Sequence, residues 1–453
     1  MAVATVEDLS FSYTGDSAPA LRGVSLAFEP GEVVLLSGRS GSGKTTLIRA
    51  LAGLVPHFHG GRFSGRVEVG GLDTRKTRPA ELAGTVATLF QDPEDQVVFG
   101  GVTAEVAFGI ENAGAPPDEI PGRVRAALAS VGVGHLAQRE IGELSCGELQ
   151  RVCLASTLAL EPSLLLVDEP TSELDRDGAA LLLRLLRRLA QERGVAVVVS
   201  EQRLARTIQV ADRVIVLDEG SVRLDASRAE ALRWYETERP ACLTPLRRSD
   251  AQRTPGETLC RLEAVDFRYG DGPLVLEDTS LELRRGEIVA LTGSNGSGKT
   301  TLAKVACGLL DPAAGTVERS GRVAYLSQDT GRFLVRERVD EEVSLTARSN
   351  GAALSALRAL GLVGLEGRHP RDLSSGQRER VALAAVLATE PDMLVLDEPT
   401  RGVDPEARRR LAALLRMETQ RRATLLITHD DDLVTAVADR VIELGEKVDR
   451  VAA

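Results

Sequence analysis

The sequence predicts an α/β protein of two tandem P-loop domains, each with a mainly parallel sheet at its core. Three observations predict it. A glycine-rich octet suited to holding phosphate occurs once in each half. Short apolar strands alternate with amphipathic segments such as Ala179 to Leu189. Short motifs of the first half recur in the second in the same order.

The octets come first in each half. Gly38-Arg39-Ser40-Gly41-Ser42-Gly43-Lys44-Thr45 and Gly293-Ser294-Asn295-Gly296-Ser297-Gly298-Lys299-Thr300 both read G-x-x-x-x-G-K-T. Each follows an apolar strand (Glu32 to Leu36; Glu287 to Leu291) and precedes a helix-forming run. Glycines let successive backbone N–H groups converge on phosphate oxygens, and the helix N-terminus adds partial positive charge. Lys44 and Lys299 reach the β/γ-phosphates, Thr45 and Thr300 suit Mg²⁺, and Thr46 and Thr301 complete the nucleotide-binding sets.

The next element differs between the halves. Ser145 follows Lys44 by 101 residues, whereas Ser374 follows Lys299 by 75. The first half's extra material includes Pro56 to Gly61 and Asn112 to Pro117, which read as loops. Leu144-Ser145-Cys146-Gly147-Glu148 recurs as Leu373-Ser374-Ser375-Gly376-Gln377. An apolar strand ending in Asp168-Glu169 then recurs as one ending in Asp397-Glu398, 23 residues after the serine in both halves. Such a strand sets both carboxylates at its C-terminal edge, where open α/β sheets bind ligands. Asp168 and Asp397 suit Mg²⁺; Glu169 and Glu398 suit orientation or deprotonation of an attacking water.

The last repeated element is Ala211-Asp212-Arg213-Val214-Ile215, repeated at Ala438 to Ile442. His429 precedes Ala438 by nine residues, as Gln202 precedes Ala211, with Glu201 as the alternative occupant. Glutamine can hydrogen-bond phosphate but cannot become cationic. The predicted domains are residues 1–236 and 258–453, with a proline-containing linker at 237–257.

Composition bounds the function. The chain has 453 residues and a net charge of −11, which disfavours a nucleic-acid coat. No stretch approaches the roughly 18 consecutive apolar residues of a membrane span. The first eight residues lack a basic n-region, so no secretory signal is expected. Five cysteines without C-x-x-C spacing support neither a disulfide framework nor a zinc site, and point to a reducing compartment. His57 and His59 lack partner ligands.

Together these motifs resemble the ATPase subunits of ATP-binding-cassette (ABC) transporters over nearly the whole chain. The resemblance implies two tandem P-loop NTPase (ABC ATPase) domains, each adding an antiparallel β subdomain and a helical subdomain to the parallel core, with ATP and Mg²⁺ as cofactors. It implies adenine-stacking roles for Tyr13 and Tyr269, 31 and 30 residues before their lysines. Gln91 and Gln328 match the glutamine that senses Mg²⁺ and contacts the membrane partner. Ser145 with Gly147, and Ser374 with Gly376, match the signature motif. Asp175 and Asp404 end the D-loops, and His429 matches the switch histidine. The family packs two cassettes head to tail. One composite site would then pair Lys44, Glu169 and Gln202 with Ser374, and the other Lys299, Glu398 and His429 with Ser145. The second is expected to hydrolyse faster. Cys146, Glu148 and Ser375 depart from the usual S-G-G-Q.

The stretch Gln91-Asp92-Pro93-Glu94-Asp95-Gln96-Val97-Val98-Phe99 resembles energy-coupling-factor importers of cobalt and B vitamins. That resemblance implies a transmembrane coupling subunit and a substrate-binding subunit as partners, a peripheral position at the cytoplasmic face of the cell membrane, and no nucleic acid. Gln96, Val97, Val98 and Phe99 become candidate contacts, while Gln328 to Phe333 departs from the pattern. The rivals are a soluble tandem ABC ATPase acting on ribosomes or nucleic acid, and the ATPase of another importer. The linker is too short for the basic helical insertion of the ribosomal group, and Lys299 with Thr300 is intact, unlike the often degenerate second loop of fused sugar-importer ATPases.

Overall fold

Strands buried on both faces need apolar residues at every position, and this chain supplies them in both halves. The computed structural model describes residues 2–15, 18–39, 41–91, 93–171, 174–201, 207–238, 255–328, 334–373, 375–400 and 405–445. The chain divides into two compact units, Met1–Thr244 and Pro245–Ala453.

In the first unit β1 (Ala4–Tyr13), β2 (Leu21–Phe28), β4 (Gly61–Val69) and β5 (Leu72–Asp73) form an antiparallel sheet in the order β2-β1-β4-β5. The larger sheet uses β3 (Val33–Gly38), β6 (Val86–Leu89), β7 (Leu164–Asp168), β8 (Ala196–Ser200), β9 (Arg213–Asp218) and β10 (Ser221–Ser227). Its order is β10-β9-β3-β8-β7-β6, parallel except for β10. Helices Val102–Asn112, Ile120–Ser130 and Cys146–Leu158 pack Val106, Leu128 and Val152 into one core with β7 and β8.

The second unit repeats this plan with less material. β11 (Thr258–Arg268), β12 (Leu274–Arg284) and β14 (Ala314–Arg319) form an antiparallel sheet. β13 (Ile288–Thr292), β15 (Val323–Leu326), β16 (Met393–Asp397), β17 (Ala423–Ile427) and β18 (Arg440–Glu443) form an all-parallel sheet in the order β15-β16-β17-β13-β18. Helices Val339–Leu345, Asn350–Ala359 and Ser375–Ala388 supply its helical layer.

Part of the first half's extra length lies between β4 and β6, where β5 and a short helix Pro79–Leu82 are inserted. The segments predicted as loops are partly ordered elements. Pro56 and His57 belong to a short helix Leu54–His57, Gly61 opens β4, and Asn112 closes the helix Val102–Asn112. Burial of Val55 and Ile110 outweighs the local glycine and proline signals there. Trp234 and Tyr235 sit on helix Arg228–Glu238, with Tyr235 buried against Ile208 and Ala211.

Candidate functional site

Each octet leaves the C-terminal end of a central strand, so both loops open on the sheet edge that carries the Asp-Glu pairs. Gly38 (φ 148°) and Gly293 (φ 133°) adopt backbone open to glycine, and a Cβ at either would overlap the carbonyl oxygen of Leu217 or Leu444. Gly41, Gly43, Gly296 and Gly298 also have positive φ. The lysines fold back over their loops. Lys44 Nζ donates to the carbonyls of Gly38 (2.9 Å) and Arg39 (3.1 Å), and Lys299 Nζ to those of Gly293 (2.9 Å) and Ser294 (2.7 Å). Ser42 Oγ and Ser297 Oγ are buried with no hydrogen-bond partner among the described residues.

Thr45 Oγ1 donates to Asp168 Oδ2 at 3.1 Å, and Thr300 Oγ1 to Asp397 Oδ2 at 2.8 Å. Each half thus holds a hydroxyl and a carboxylate oxygen in contact, the hard donor set that Mg²⁺ takes. Burial pushes both aspartate carboxyls upward, and the hydroxyl bonds oppose it. Magnesium would remove that penalty by neutralising the buried charge, so these residues fit the ion.

Glu169 (φ 47°) and Glu398 (φ 53°) turn the chain out of β7 and β16. Their N–H groups donate to Ser200 O (2.9 Å) and Ile427 O (2.8 Å). Register fixes what comes next: Asp168 pairs with Ser200 and Asp397 with Ile427. Glu201 therefore stands where the second half has Thr428, and Gln202 follows at the position of His429. Thr171 Oγ1 donates to the buried Glu201 carboxylate at 2.5 Å, and Thr400 Oγ1 lies 3.5 Å from Thr428 Oγ1. In the second half Glu398 Oε2 accepts from Thr428 Oγ1 (3.3 Å) and His429 N (3.4 Å). His429 Nε2 lies 3.0 Å from Asn295 Oδ1 and 3.5 Å from Glu398 Oε1. Loop, carboxylate and histidine thus converge in that half.

Ser145 caps the helix Cys146–Leu158 in a capping box with Glu148. Its N–H and Oγ donate to Glu148 Oε2 at 2.9 and 2.7 Å, and the hydroxyl bond is the main reason the Glu148 carboxyl lies below its usual range. The carbonyls of Gly147 and Gly376 each accept from an arginine one turn on, Arg151 and Arg380, at 3.2 Å. Asp175 caps helix Arg176–Arg193 through Gly178 N at 2.8 Å. Tyr13 OH lies 3.2 Å from Thr46 Oγ1 and accepts from Arg49 at 3.1 Å. Tyr269 OH lies 3.2 Å from Thr301 Oγ1, its side chain half exposed. Gln91 and Gln328 follow β6 and β15, and neither side chain bonds the Thr-Asp pairs among the described residues. Ser40, Gln202, Ser374, Asp404, Asp92, residues 329–333 and most of the predicted linker lie outside the described residues.

Several contributors were missed in the sequence. Tyr325 OH donates to Asp397 Oδ2 at 3.0 Å. Glu105, buried, accepts from the N–H groups of Val98 and Phe99 (2.9 Å each); Glu342 does the same for Val335 (2.8 Å) and Arg336 (2.7 Å). The spacing from glutamate to amides is identical in the two halves, and that internal match was the available signal.

Comparison with known proteins follows the geometry. The ABC transporter family model matches residues 21–172 and 276–401. A protein of Streptomyces coelicolor, provisionally named an ABC transporter ATP-binding protein, is 37% identical over 97% of this chain and 92% of its own. The solved RNase-L Inhibitor is 27% identical with a TM-score of 0.68, over 97% of this chain and 88% of its own. A model of ribosome-bound archaeal Pelota and ABCE1 contains a chain 25% identical with a TM-score of 0.70, over 96% and 76%. The chain therefore belongs to the ABC transporter family, as a tandem cassette ATPase whose cofactors are ATP and Mg²⁺.

Proposed function

We propose that both loops hold Mg²⁺-ATP and that hydrolysis drives a membrane transporter, with the second half's site the faster. The observation that carries the hydrolytic reading is the convergence of Lys299, Thr300–Asp397, Glu398 and His429 around one loop. Lys44 and Lys299 would turn from the loop carbonyls to phosphate oxygens. Thr45 with Asp168, and Thr300 with Asp397, would hold Mg²⁺. The ion would neutralise charge on the phosphate oxygens. Glu169 and Glu398 orient and deprotonate water, and His429 steadies Glu398 and offers a donor to the γ-phosphate. Gln202 supplies a neutral group in its place. Following the family resemblance, Ser145 and Ser374 each complete the other half's site, and Tyr13 and Tyr269 meet adenine.

The transport reading draws on two things. The named relative is the more similar in sequence, and the segment after Gln91 leaves Phe90, Val98 and Phe99 exposed, with the Phe99 and Phe108 rings edge to face at 5.4 Å. No helix among the described residues is long and apolar enough to cross a membrane, so a transporter would need integral partners. A micronutrient cargo, moved with energy-coupling-factor-type subunits, rests on the resemblance of Gln91 to Phe99.

A second reading, action on ribosomes, has the solved tandem structures behind it: their likeness runs over nearly the whole chain. Tagged chain recovered from detergent-solubilised membranes and from ribosome pellets separates the two. Transport predicts co-purification with integral subunits, lost in Val98→Glu/Phe99→Glu while ATP binding persists. Co-sedimentation with ribosomes and no membrane subunit would replace the first reading with the second.

A further inference from the structure

Five residues after the signature serine, the two halves differ in a way the hydrolytic assignment leaves unused. In the first half this position is Gln150, buried, with Nε2 donating to the carbonyl of Pro170 at 2.7 Å. That bond ties the helix Cys146–Leu158 to the residue after Glu169. In the second half the position is Glu379, 8% exposed. The helices match in detail here, because Arg151 and Arg380 make the same 3.2 Å bond to the carbonyls of Gly147 and Gly376. Glu379 shares a small cleft with Pro399, Leu326, Leu383 and Leu411. Among the described residues no donor meets its carboxyl, so a carboxylate there would be buried and unsatisfied.

We propose that Glu379 is a positioning residue that works as a neutral carboxylic acid, donating its proton toward the Pro399 carbonyl as Gln150 does toward Pro170, and that its ionisation disables hydrolysis by the Glu398 site. This rests on the hydrolytic reading of Glu398. A protonated carboxyl has the one donor that Gln150 uses; an ionised one has none, and places a second negative charge beside Glu398. Burial, then the Glu398 charge, push the Glu379 carboxyl up to about 9. The charged groups around it are Glu398 on the strand-exit loop, Arg380 on its own helix and Arg410 on helix Pro405–Glu418. Arg380 is bonded to the carbonyls of Gly376 and Leu360. The first half, with Gln150, has no such titration.

The test is steady-state phosphate release by the full chain from pH 7 to 10, for wild type, Glu379→Gln, Glu379→Leu and Lys299→Ala. The portion of turnover that Lys299→Ala removes is expected to fall roughly tenfold between pH 8 and 10 in wild type, to stay level in Glu379→Gln, and to be low at every pH in Glu379→Leu. The same alkaline fall in Glu379→Gln overturns the proposal. Turnover untouched by Lys299→Ala would instead sink the hydrolytic reading of that half, and the proposal with it. An infrared carboxylic-acid C=O band in nucleotide-free wild type at pH 7, lost in Glu379→Gln, reports the proton without activity; its absence from wild type also overturns the proposal.

Discussion

Replacing Glu398 by glutamine isolates the chemistry from the fold. The turn at Glu398 is held by its backbone N–H on Ile427 O at 2.8 Å, which the change does not touch. Glutamine keeps an acceptor oxygen for Thr428 Oγ1 and His429 N, at 3.3 and 3.4 Å in the wild-type protein. What it loses is the base. A positioned base contributes roughly 10²–10⁴-fold, or about 3–5 kcal/mol of barrier. Glu169→Gln removes the counterpart in a half where Glu201 occupies the position of Thr428, its carboxylate satisfied by Thr171. There Gln202 replaces histidine. Glu398→Gln is therefore expected to remove most of the turnover and Glu169→Gln a minor share, with unchanged unfolding temperatures. Phosphate release under saturating Mg²⁺-ATP measures both. Equal residual turnover in the two single variants would refute the asymmetry.

Three further outcomes follow from the same geometry. Gly293→Ala places a Cβ against the Leu444 carbonyl at a φ of 133°, so it should lose about 1–3 kcal/mol in chemical denaturation and lose nucleotide binding at that loop. Glu379→Gln should gain stability over wild type by about 1.4 kcal/mol per pH unit between the ordinary carboxyl value of 4.5 and about 9. The sign follows because the folded acid keeps its proton while the unfolded one releases it, so wild-type stability falls as pH rises through that window; denaturant midpoints at pH 5 and 8 check it. The Glu148 carboxyl is held low by Ser145, so its contribution is present above 4.5 and lost as pH falls through its folded value. Glu148→Gln should abolish that acid-side dependence and weaken the cap, seen as thermal midpoints at pH 3.5 and 7.

The readable parts of this protein were those whose chemistry demands particular residues at fixed local spacing. Both phosphate loops and both Asp-Glu pairs appear at the sheet edge where strand–loop–helix patterning put them. The switch position was only half legible, because spacing left Glu201 and Gln202 open. Strand register, a long-range property, aligns Glu201 with Thr428. Glu105 and Glu342 were hidden because they act on backbone amides of a loop folded back onto their helices. Glu379 was hidden for another reason: in the sequence it is one more polar residue of a helix, and only burial beside Glu398 gives it a distinct state. The loops predicted at Pro56 and Asn112 failed where tertiary burial overrode local turn residues.

The account's central claim is that each half contains a complete ATP-binding loop. Calorimetric titration of the full chain carrying Glu169→Gln and Glu398→Gln with Mg²⁺-ATP tests it most directly. The account predicts two nucleotides per chain, with Lys44→Ala and Lys299→Ala each abolishing one. A single nucleotide per chain, or a stoichiometry indifferent to either lysine, would contradict it.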